Sequence, residues 1–341
     1  MKKVNGCRAV LTNVTCDNPR VNIAMLTALG AKLAGEDPEP FLDMKNILGK
    51  KILAFLDPPH LIKLTRNTLG DYGYLVDGNG NLIRWNFILN LNKLQKEQGL
   101  VLANKLKQEH VEYLKNKMKV RLATQVFSQS VATALTVCSE GLKHPDFVGV
   151  EPTVKCLKIF DVLFDRMNSK YAYKTNTKAP LSVDNEAEWR ADLDQSKIYI
   201  NGLKHETGES VLKGRRKAAF VGWLADIKGI IFMFDEYVKP GLTEHLLTFR
   251  MSQDPLELFF GSIRAGLGHN NNPTVLQFKG VYKQLVAGAL LKPGSGTNCL
   301  WDEISMLEAE DGQGSSISQQ TDEPMNLEIS EEHLRYEHSS L

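Results

Sequence analysis

The chain has 341 residues, enough for two domains or for one domain that carries an insertion. Its 41 basic and 40 acidic residues nearly cancel, but residues 301–341 hold 11 acids against one base, so residues 1–300 carry 40 bases against 29 acids. This basic body favours a polyanionic partner such as nucleic acid, with a merely soluble body as the alternative. Five cysteines without a C-x-x-C pair argue against a disulfide framework or a zinc site. The longest apolar run, Gly229–Phe234, is too short to span a bilayer. We therefore expect a soluble intracellular protein without a membrane partner.

The first 60 residues predict part of an α/β unit. Residues 9–16 read as a strand that ends at Asp17, and residues 21–33 read as a helix. Residues 51–56 form a short apolar run between a glycine and a proline, which is typical of a buried strand. The order strand–helix–strand is half of an α/β unit.

A long helical block follows, because apolar residues recur at helical spacing from about residue 61 to residue 251. We predict loops at residues 70–81, 141–150, 170–182 and 201–209 and helices near residues 84–97, 100–119, 124–140, 151–169, 186–199, 211–235, 254–266 and 273–289. Residues 293–341 are acidic, rich in serine and poor in aromatic residues, which predicts a disordered tail.

Two carboxylates open the helix predicted after residue 253. Asp254 stands where an N-cap belongs, Pro255 where a first helical residue belongs, and Glu257 one turn further on the same face. Paired acids at a helix start can be a capping box and nothing more. The alternative is a site in which these acids do chemistry.

The string from Ser252 to Arg264, followed by Asn270–Thr274, resembles the last-acid motif of P-element-type DNA transposases, the group that includes THAP-domain transposases. Further matches lie around residues 15–30, 56–67, 104–132 and 164–181, so the resemblance covers roughly residues 10–300. It implies a fold that is α/β plus mostly α: a partial RNase H-like fold interrupted by a large helical GTP-binding insertion domain. We expect the RNase H-like part at residues 1–60 and 251–292 and the insertion at residues 61–250.

The same resemblance implies that Asp17 and Glu257 are catalytic acids and metal ligands. Cutting a phosphodiester by this route uses two Mg²⁺ ions held by several carboxylates. Asp57 and His60 are expected beside the site as supporting groups. The plain alternatives are a strand-end or helix-capping aspartate for Asp17 and a structural histidine for His60. The family's first acid, on the opening strand of the sheet, and its zinc-finger module have no counterpart here, so we expect that this polypeptide alone does not cut DNA.

The insertion has no P-loop, since Glu209 stands where a lysine is needed after Gly202 and Gly208. The resemblance nevertheless implies GTP binding. Asp165 would accept hydrogen bonds from guanine, and the lysines would meet phosphate. The residues expected to bind GTP are Lys105, Lys119, Val120, Ser128, Phe164, Asp165, Asn168 and Asp254. Taken singly, the lysines are equally a solvated helix face, and Phe164 equally a core residue.

The function that the resemblance implies is GTP-dependent, metal-ion DNA cleavage and strand transfer. The partners would be GTP, Mg²⁺, transposon-end DNA and a further copy of the chain, in the nucleus. The basic run Lys213–Lys217, with Arg250 and Arg264, is expected to meet DNA phosphates without reading sequence, unless the run is plain helix surface or a nuclear-import patch. The alternative function is a domesticated nucleotide- or DNA-binding protein that acts only through interactions.

Overall fold

A small sheet and a large set of helices make up the residues that the computed structural model describes, which are 11–43, 51–99, 101–103 and 105–287. All of these fall in one compact unit, residues 1–301. The tail predicted at residues 293–341 lies outside the described residues. No helix in the described part of the chain is long and apolar enough to cross a membrane.

The sheet has three strands in the order β1 (Asn13–Cys16), β3 (Ile52–Leu56), β2 (Phe41–Leu42). β1 and β3 are parallel, and β2 is antiparallel to β3. Helix α1 (Arg20–Ala28) follows β1. Every residue of the central strand is buried, which explains its continuous apolar run. The predicted order of strand, helix and strand is confirmed, and α1 is shorter than predicted. Residues 11 and 12 are not part of β1, and residues 9 and 10 of the predicted strand lie outside the described residues.

Helices dominate the rest of the described chain. In chain order the elements are α2 (Pro58–Tyr72), β4 (Tyr74–Val76), β5 (Leu82–Arg84), α3 (Asn86–Gln98), α4 (Gln108–Val111), α5 (Val120–Val126), α6 (Gln129–Thr136), α7 (Glu151–Met167), β6 (Leu181–Ser182), α8 (Glu186–Gly202), α9 (Lys217–Met233), β7 (His245–Leu246), α10 (Asp254–Ala265) and α11 (Val275–Val286). The strands pair as two antiparallel ribbons, β4 with β5 and β6 with β7.

Helix α9 joins the sheet to the helical block. It is apolar on nearly all sides, as expected of a helix at the centre of a core. A Cβ atom at Gly222 would lie 2.5 Å from Leu61 of α2, and one at Gly229 would lie 2.6 Å from Leu53 of β3. These two glycines therefore allow α2 and β3 to pack directly against the α9 backbone.

The helix predicted over residues 100–119 is wrong. Among the described residues of that range, which leave out 100 and 104, only α4 and a single 3₁₀ turn, Tyr113–Asn116, are helical. The buried guanidinium of Arg66 in α2 donates through Nη2 to the carbonyl oxygens of Asn116 (3.1 Å) and Lys117 (3.2 Å). These contacts from a distant helix hold the segment in a loop, against its helical periodicity.

Local capping explains two further differences between the predicted and the observed helices. The helix predicted over residues 124–140 is interrupted at Ser128, whose backbone is extended and whose Oγ accepts a hydrogen bond from the N–H of Val131 at the start of α6. Helix α2 was missed; it begins after Asp57, whose carboxylate accepts from the N–H of His60. The loop predicted at residues 70–81 contains the end of α2 and the strand β4.

Candidate functional site

Acidic side chains gather where β1 and β3 end, because the parallel strands finish at the same edge of the sheet. We call Asp17, Asp57 and His60 the acid edge. The side chain of Asp17 is 45% exposed, and its Oδ1 lies 3.4 Å from Nδ1 of His60. This is a close contact rather than a hydrogen bond, since that Nδ1 has no hydrogen-bond partner among the described residues. Burial lowers the pKa of His60, and the charge of Asp17 acts in the opposite direction.

Asp57 ties together two helices that are far apart in sequence. Its Oδ2 accepts from the N–H of His60 in α2 (3.2 Å), and its Oδ1 accepts from the N–H of Gln253, directly before α10 (2.8 Å). Burial raises the pKa of Asp57 to about 7; the nearby charges of Asp254 and Asp17 act in the same direction, and the two N–H groups oppose them. Both oxygens of Asp57 therefore serve backbone groups, and the residue positions α10 against the sheet.

The start of α10 differs from the prediction. Asp254 is the first residue of the helix rather than its N-cap. Gln253 is the N-cap and makes no capping bond with its side chain; one residue earlier, Ser252 has an extended backbone, and its Oγ accepts from the N–H of Asp254 (3.2 Å). The carboxylate of Asp254 is buried, and its Oδ2 lies 3.6 Å from Nζ of Lys170. The prediction was wrong because Ser252 and the distant Asp57 already serve the first N–H groups of this helix.

Glu257 lies one turn into α10 and is exposed. The segment before α10 is tied to the sheet, since the Thr15 hydroxyl of β1 donates to the carbonyl oxygen of Met251 (2.6 Å). Across residues 11–43, 51–99, 101–103 and 105–287, no three His, Cys, Asp or Glu side chains are arranged to hold a metal ion. Because Mg²⁺ needs several oxygen ligands, these residues do not by themselves fit a magnesium site. The roles of Asp17 and Glu257 as catalytic and metal-binding acids stay predictions.

A second group of polar side chains lies at the carboxyl end of α7; we call Phe164, Asp165 and Asn168 the α7 end. Oδ2 of Asp165 accepts from the hydroxyl of Thr177 (2.7 Å), and Oδ1 lies 3.9 Å from Nζ of Lys178. Burial raises the pKa of Asp165, and these two partners oppose the shift. Oδ1 of Asn168 is buried without a hydrogen-bond partner in the described structure. A buried acceptor left unpaired is costly, so this end of the helix suits a ligand that donates hydrogen bonds.

The start of α6 packs against α7 close to this end. The N–H of Gln129 donates to Oδ2 of Asp161 (2.9 Å), and Asp161 lies one turn before Asp165. Burial raises the pKa of Asp161 to about 6, and the charge of Asp165 adds to the shift. The structure therefore brings the segment that holds Ser128 near Asp165, as a shared nucleotide site requires. The hydroxyl of Ser128 itself caps α6.

Arg166 is a residue of this region that the sequence prediction missed. Its side chain is fully buried, and it donates through Nε to Asp192 (2.8 Å) and through Nη2 to Glu188, both on α8. Through Nη1 it donates to the carbonyl oxygen of Asn176 (3.1 Å), at the start of the turn that carries Thr177. Arg166 therefore holds the turn that contacts Asp165. An arginine within the apolar stripe of α7 was the available signal.

The predicted phosphate-binding lysines lie elsewhere on the insertion surface. Lys105 and Lys119 are exposed, and Val120 is the first residue of α5, partly buried against the core. Within the described part of the chain, no hydrogen bond or ion pair joins either lysine to the α7 end. Asn104, which the resemblance also matched, lies outside the described residues. The buried Arg66 fixes the loop that precedes Lys119.

Fold and site together define a mixed helix–sheet protein in which a helical insertion separates the sheet from an acid-bearing helix. Two family models match in that order. Residues 59–180 match the TNP-like, GTP-binding insertion domain, and residues 249–283 match the TNP-like, RNase H C-terminal domain. The boundary predicted for the insertion, residues 61–250, extends beyond the matched range and stays a prediction.

The known proteins that the chain resembles are transposases. The chain is 29% identical over 285 residues to the human DNA transposase THAP9, covering 83% of this chain and 31% of that protein. It is 28% identical over 241 residues to the Transposable element P transposase of Drosophila melanogaster, covering 70% and 31%. The solved Drosophila P element transposase strand transfer complex superimposes with a TM-score of 0.70 at 25% identity, covering 83% of this chain and 61% of that one.

The predicted resemblance to P-element-type DNA transposases is therefore confirmed for the internal and C-terminal part of such a protein. The chain spans about a third of the length of these two curated relatives. It carries a match to a GTP-binding insertion domain and a match to the end of an RNase H domain.

Proposed function

We propose that this chain acts as part of a P-element-like transposase whose insertion binds GTP as a cofactor for DNA cleavage and strand transfer. The observation that carries the nucleotide half is the α7 end. Among the described residues, one carboxylate oxygen of Asp165 receives no hydrogen bond and lies 3.9 Å from Nζ of Lys178, and Oδ1 of Asn168, three residues further along the chain, is buried without a partner. Both lie within the segment that matches a GTP-binding domain. DNA as the partner and the nucleus as the location belong to the same proposal.

The chemistry of the α7 end favours guanine over adenine. Guanine presents two donors, N1–H and N2–H, to a carboxylate such as Asp165, whereas adenine presents no such pair. A buried polar group built for one donor pattern discriminates strongly against a ligand that lacks it. The partly buried ring of Phe164 offers a face to the purine. We assign Lys105, Lys119, Val120 and Ser128 to the phosphates and sugar. Asp254, which lies beside Lys170, is assigned to the side of the nucleotide that faces the acid edge.

Guanine recognition is tested by calorimetric titration of the chain with GTP, ATP and xanthosine triphosphate (XTP). XTP carries an oxygen where GTP carries its 2-amino group. The side-chain amide that Asp165→Asn introduces can donate a hydrogen bond to this oxygen, which the carboxylate of Asp165 cannot do. We expect the wild type to prefer GTP over ATP. We expect Asp165→Asn to weaken GTP binding at least about tenfold, through the loss of a charged hydrogen bond, and to improve XTP binding.

Asp161→Asn is the matched control, because it makes the same change one turn earlier on α7 and keeps an oxygen for the N–H of Gln129. It should leave GTP binding unchanged. Absence of binding heat for any of the three nucleotides, with protein that is folded by circular dichroism, would contradict the proposal.

For the DNA chemistry we propose Asp17 and Glu257 as the acids, supported by their exposure and by the contacts that draw α10 to β1 and β3. The described residues do not complete a magnesium site, and we derive no catalytic step through a metal. That the 341 residues by themselves do not cut DNA stays a prediction. It is checked by nicking of transposon-end DNA with Mg²⁺; cleavage that disappears in Glu257→Ala would prove it wrong.

The lack of three converging acids among the described residues favours a second candidate function, a nucleotide- and DNA-binding role without cleavage. In the same nicking assay, cleavage that depends on Glu257 would exclude the role without cleavage, whereas absence of cleavage is expected of both candidates. GTP binding is common to both, so the calorimetric experiment tests the insertion independently of the acids.

A further inference from the structure

A basic cleft of about 490 Å³ lies at the carboxyl end of α2. Its wall consists of Arg20, Asp71, Tyr72, Arg215 and Arg216. It holds three guanidinium groups against one carboxylate and no aliphatic side chain. Sites for small organic ligands have mainly apolar walls. This wall is instead suited to the charged backbone of a polyanion.

Asp71 organises one side of this basic cleft. Its side chain is 17% exposed, accepts a hydrogen bond from the hydroxyl of Tyr113 (2.9 Å) and lies 3.6 Å from Nζ of Lys117. Arg216 donates to its other oxygen. The carboxylate is thus fully engaged, and it holds the Arg216 guanidinium against the cleft wall. Lys117 adds a positive charge next to the cleft.

The turn that carries Arg215 and Arg216 is packed against the end of α2. A Cβ atom at Gly214 would lie 2.5 Å from Nε2 of His205, which is buried. The His205 ring lies in turn 4.6 Å from the ring of Tyr72. Packing of this kind fixes the backbone beneath the arginines before any ligand arrives, which lowers the entropic cost of binding.

Arg20 and Arg215 are exposed, and neither forms an ion pair within the described residues. Arg20 opens α1, three residues after Asp17 of the acid edge. The cleft therefore lies beside the acid edge, and α2, which carries both His60 and Asp71, leads from one to the other.

We propose that the basic cleft binds the phosphodiester backbone of double-stranded DNA that also meets the acid edge. Arg20 and Arg215 contact phosphate oxygens, and Arg216 borders the contact. The inference rests on the proposed function, because it requires DNA to lie at the acid edge. Guanidinium groups bind phosphate oxygens in a bidentate fork, and contacts to the backbone carry no sequence preference.

The test is fluorescence anisotropy of a labelled DNA duplex of about three helical turns, titrated with the full chain at several NaCl concentrations. The variants are Arg20→Ala, Arg215→Ala and the double variant. The control is Lys158→Ala, which removes one exposed positive charge from α7 at a different cavity. Circular dichroism melts confirm that each variant is folded. Calorimetric titration with GTP is run on the same samples.

Each cleft variant is expected to weaken DNA binding by about three- to tenfold near 0.1 M salt and to reduce the salt slope by about one, while Lys158→Ala changes neither. GTP binding is expected to be the same in all of them. If the double variant binds DNA with unchanged affinity, the inference that the cleft binds DNA is overturned, while the proposed function is left intact. Loss of GTP binding with unchanged DNA binding would assign the cleft to nucleotide phosphates and overturn the inference. A wild type that binds no DNA would overturn both the cleft and the DNA part of the proposed function.

Discussion

The acid edge and the α7 end both collect carboxylates, but they are assembled in different ways. At the acid edge, Asp57 uses both oxygens on backbone N–H groups, one of His60 in α2 and one of Gln253, which is 196 residues away directly before α10. At the α7 end, Asp165 is held by Thr177, twelve residues away, and its other oxygen has no hydrogen bond from the described residues. The acid edge therefore depends on the docking of α10 against the sheet, whereas the α7 end is built within the insertion. The nucleotide binding that we propose for the α7 end would therefore persist after changes that separate the acids.

The largest effect is expected from removing the support of the α7 end. Arg166→Ala removes the fully buried guanidinium that bonds Asp192, Glu188 and the carbonyl oxygen of Asn176, and it leaves a cavity. We therefore expect the free energy of unfolding to fall by about 3–4 kcal/mol, measured by urea denaturation. The control is Arg190→Ala, which removes an arginine of α8 that bonds the surface acids Glu186 and Asp235 and should cost about 1 kcal/mol or less. Equal losses in the two variants would contradict the structural role of Arg166.

The next effect tests the docking that builds the acid edge. Asp57→Ala removes the acceptor for the N–H groups of His60 and Gln253, and we expect a loss of about 2–3 kcal/mol in the free energy of unfolding. Asp57→Asn keeps one acceptor oxygen and should cost less. Urea denaturation measures both. Full stability in Asp57→Ala would show that α10 is held by other contacts.

The pH dependence of stability separates the charge of Asp57 from its hydrogen bonds. Its pKa is raised to about 7 in the folded chain, against an ordinary value of 3.8, because of burial. Between these values the folded state holds a proton that the unfolded chain has released, so stability falls as pH rises from about 4 to 7. The slope contributed by one proton is about 1.4 kcal/mol per pH unit.

Asp57→Asn should remove this contribution. Urea denaturation at several pH values between 5 and 8 measures the difference between wild type and variant, which cancels the contributions of other carboxyl groups. The wild type should lose stability relative to Asp57→Asn as pH rises, and the difference should level off above about pH 7. A difference that does not change with pH would show that Asp57 is charged throughout this range.

The smallest effect concerns the cap beside the α7 end. Ser128→Ala removes the acceptor for the N–H of Val131 and should lower the free energy of unfolding by about 1 kcal/mol. The control is Thr133→Ala, at an exposed position inside the same helix. It removes only an exposed hydrogen bond from the side chain of Gln129 and should change the free energy of unfolding very little. If Ser128 also contacts nucleotide, GTP binding weakens in the first variant only. Equal stability of the two variants would contradict the cap.

Much of the helical pattern was predictable because it is written in local periodicity. The ends of helices α7, α8 and α9 fall within about three residues of the predicted ends, except for the start of α9. The start of α11 also follows from local chemistry: Thr274 and Gln277 form a capping box. The residues expected to read guanine were found from resemblance, and the structure brings Phe164, Asp165 and Asn168 to one helix end.

By itself the sequence determined the buried strand β3, the amphipathic helices and the order of sheet, helical block and acid helix, since each of these depends on side chains that are near neighbours in the chain. Only the tertiary structure decided where α10 begins, why residues 112–119 form no long helix, and how the basic cleft is built. In each case the partner lies far away in sequence: Asp57 for Gln253, Arg66 for Lys117, and Asp71 for Arg216. Hydrogen bonds between such distant groups outweigh the local preference for a helix, and the hydrophobic periodicity of the sequence does not predict them.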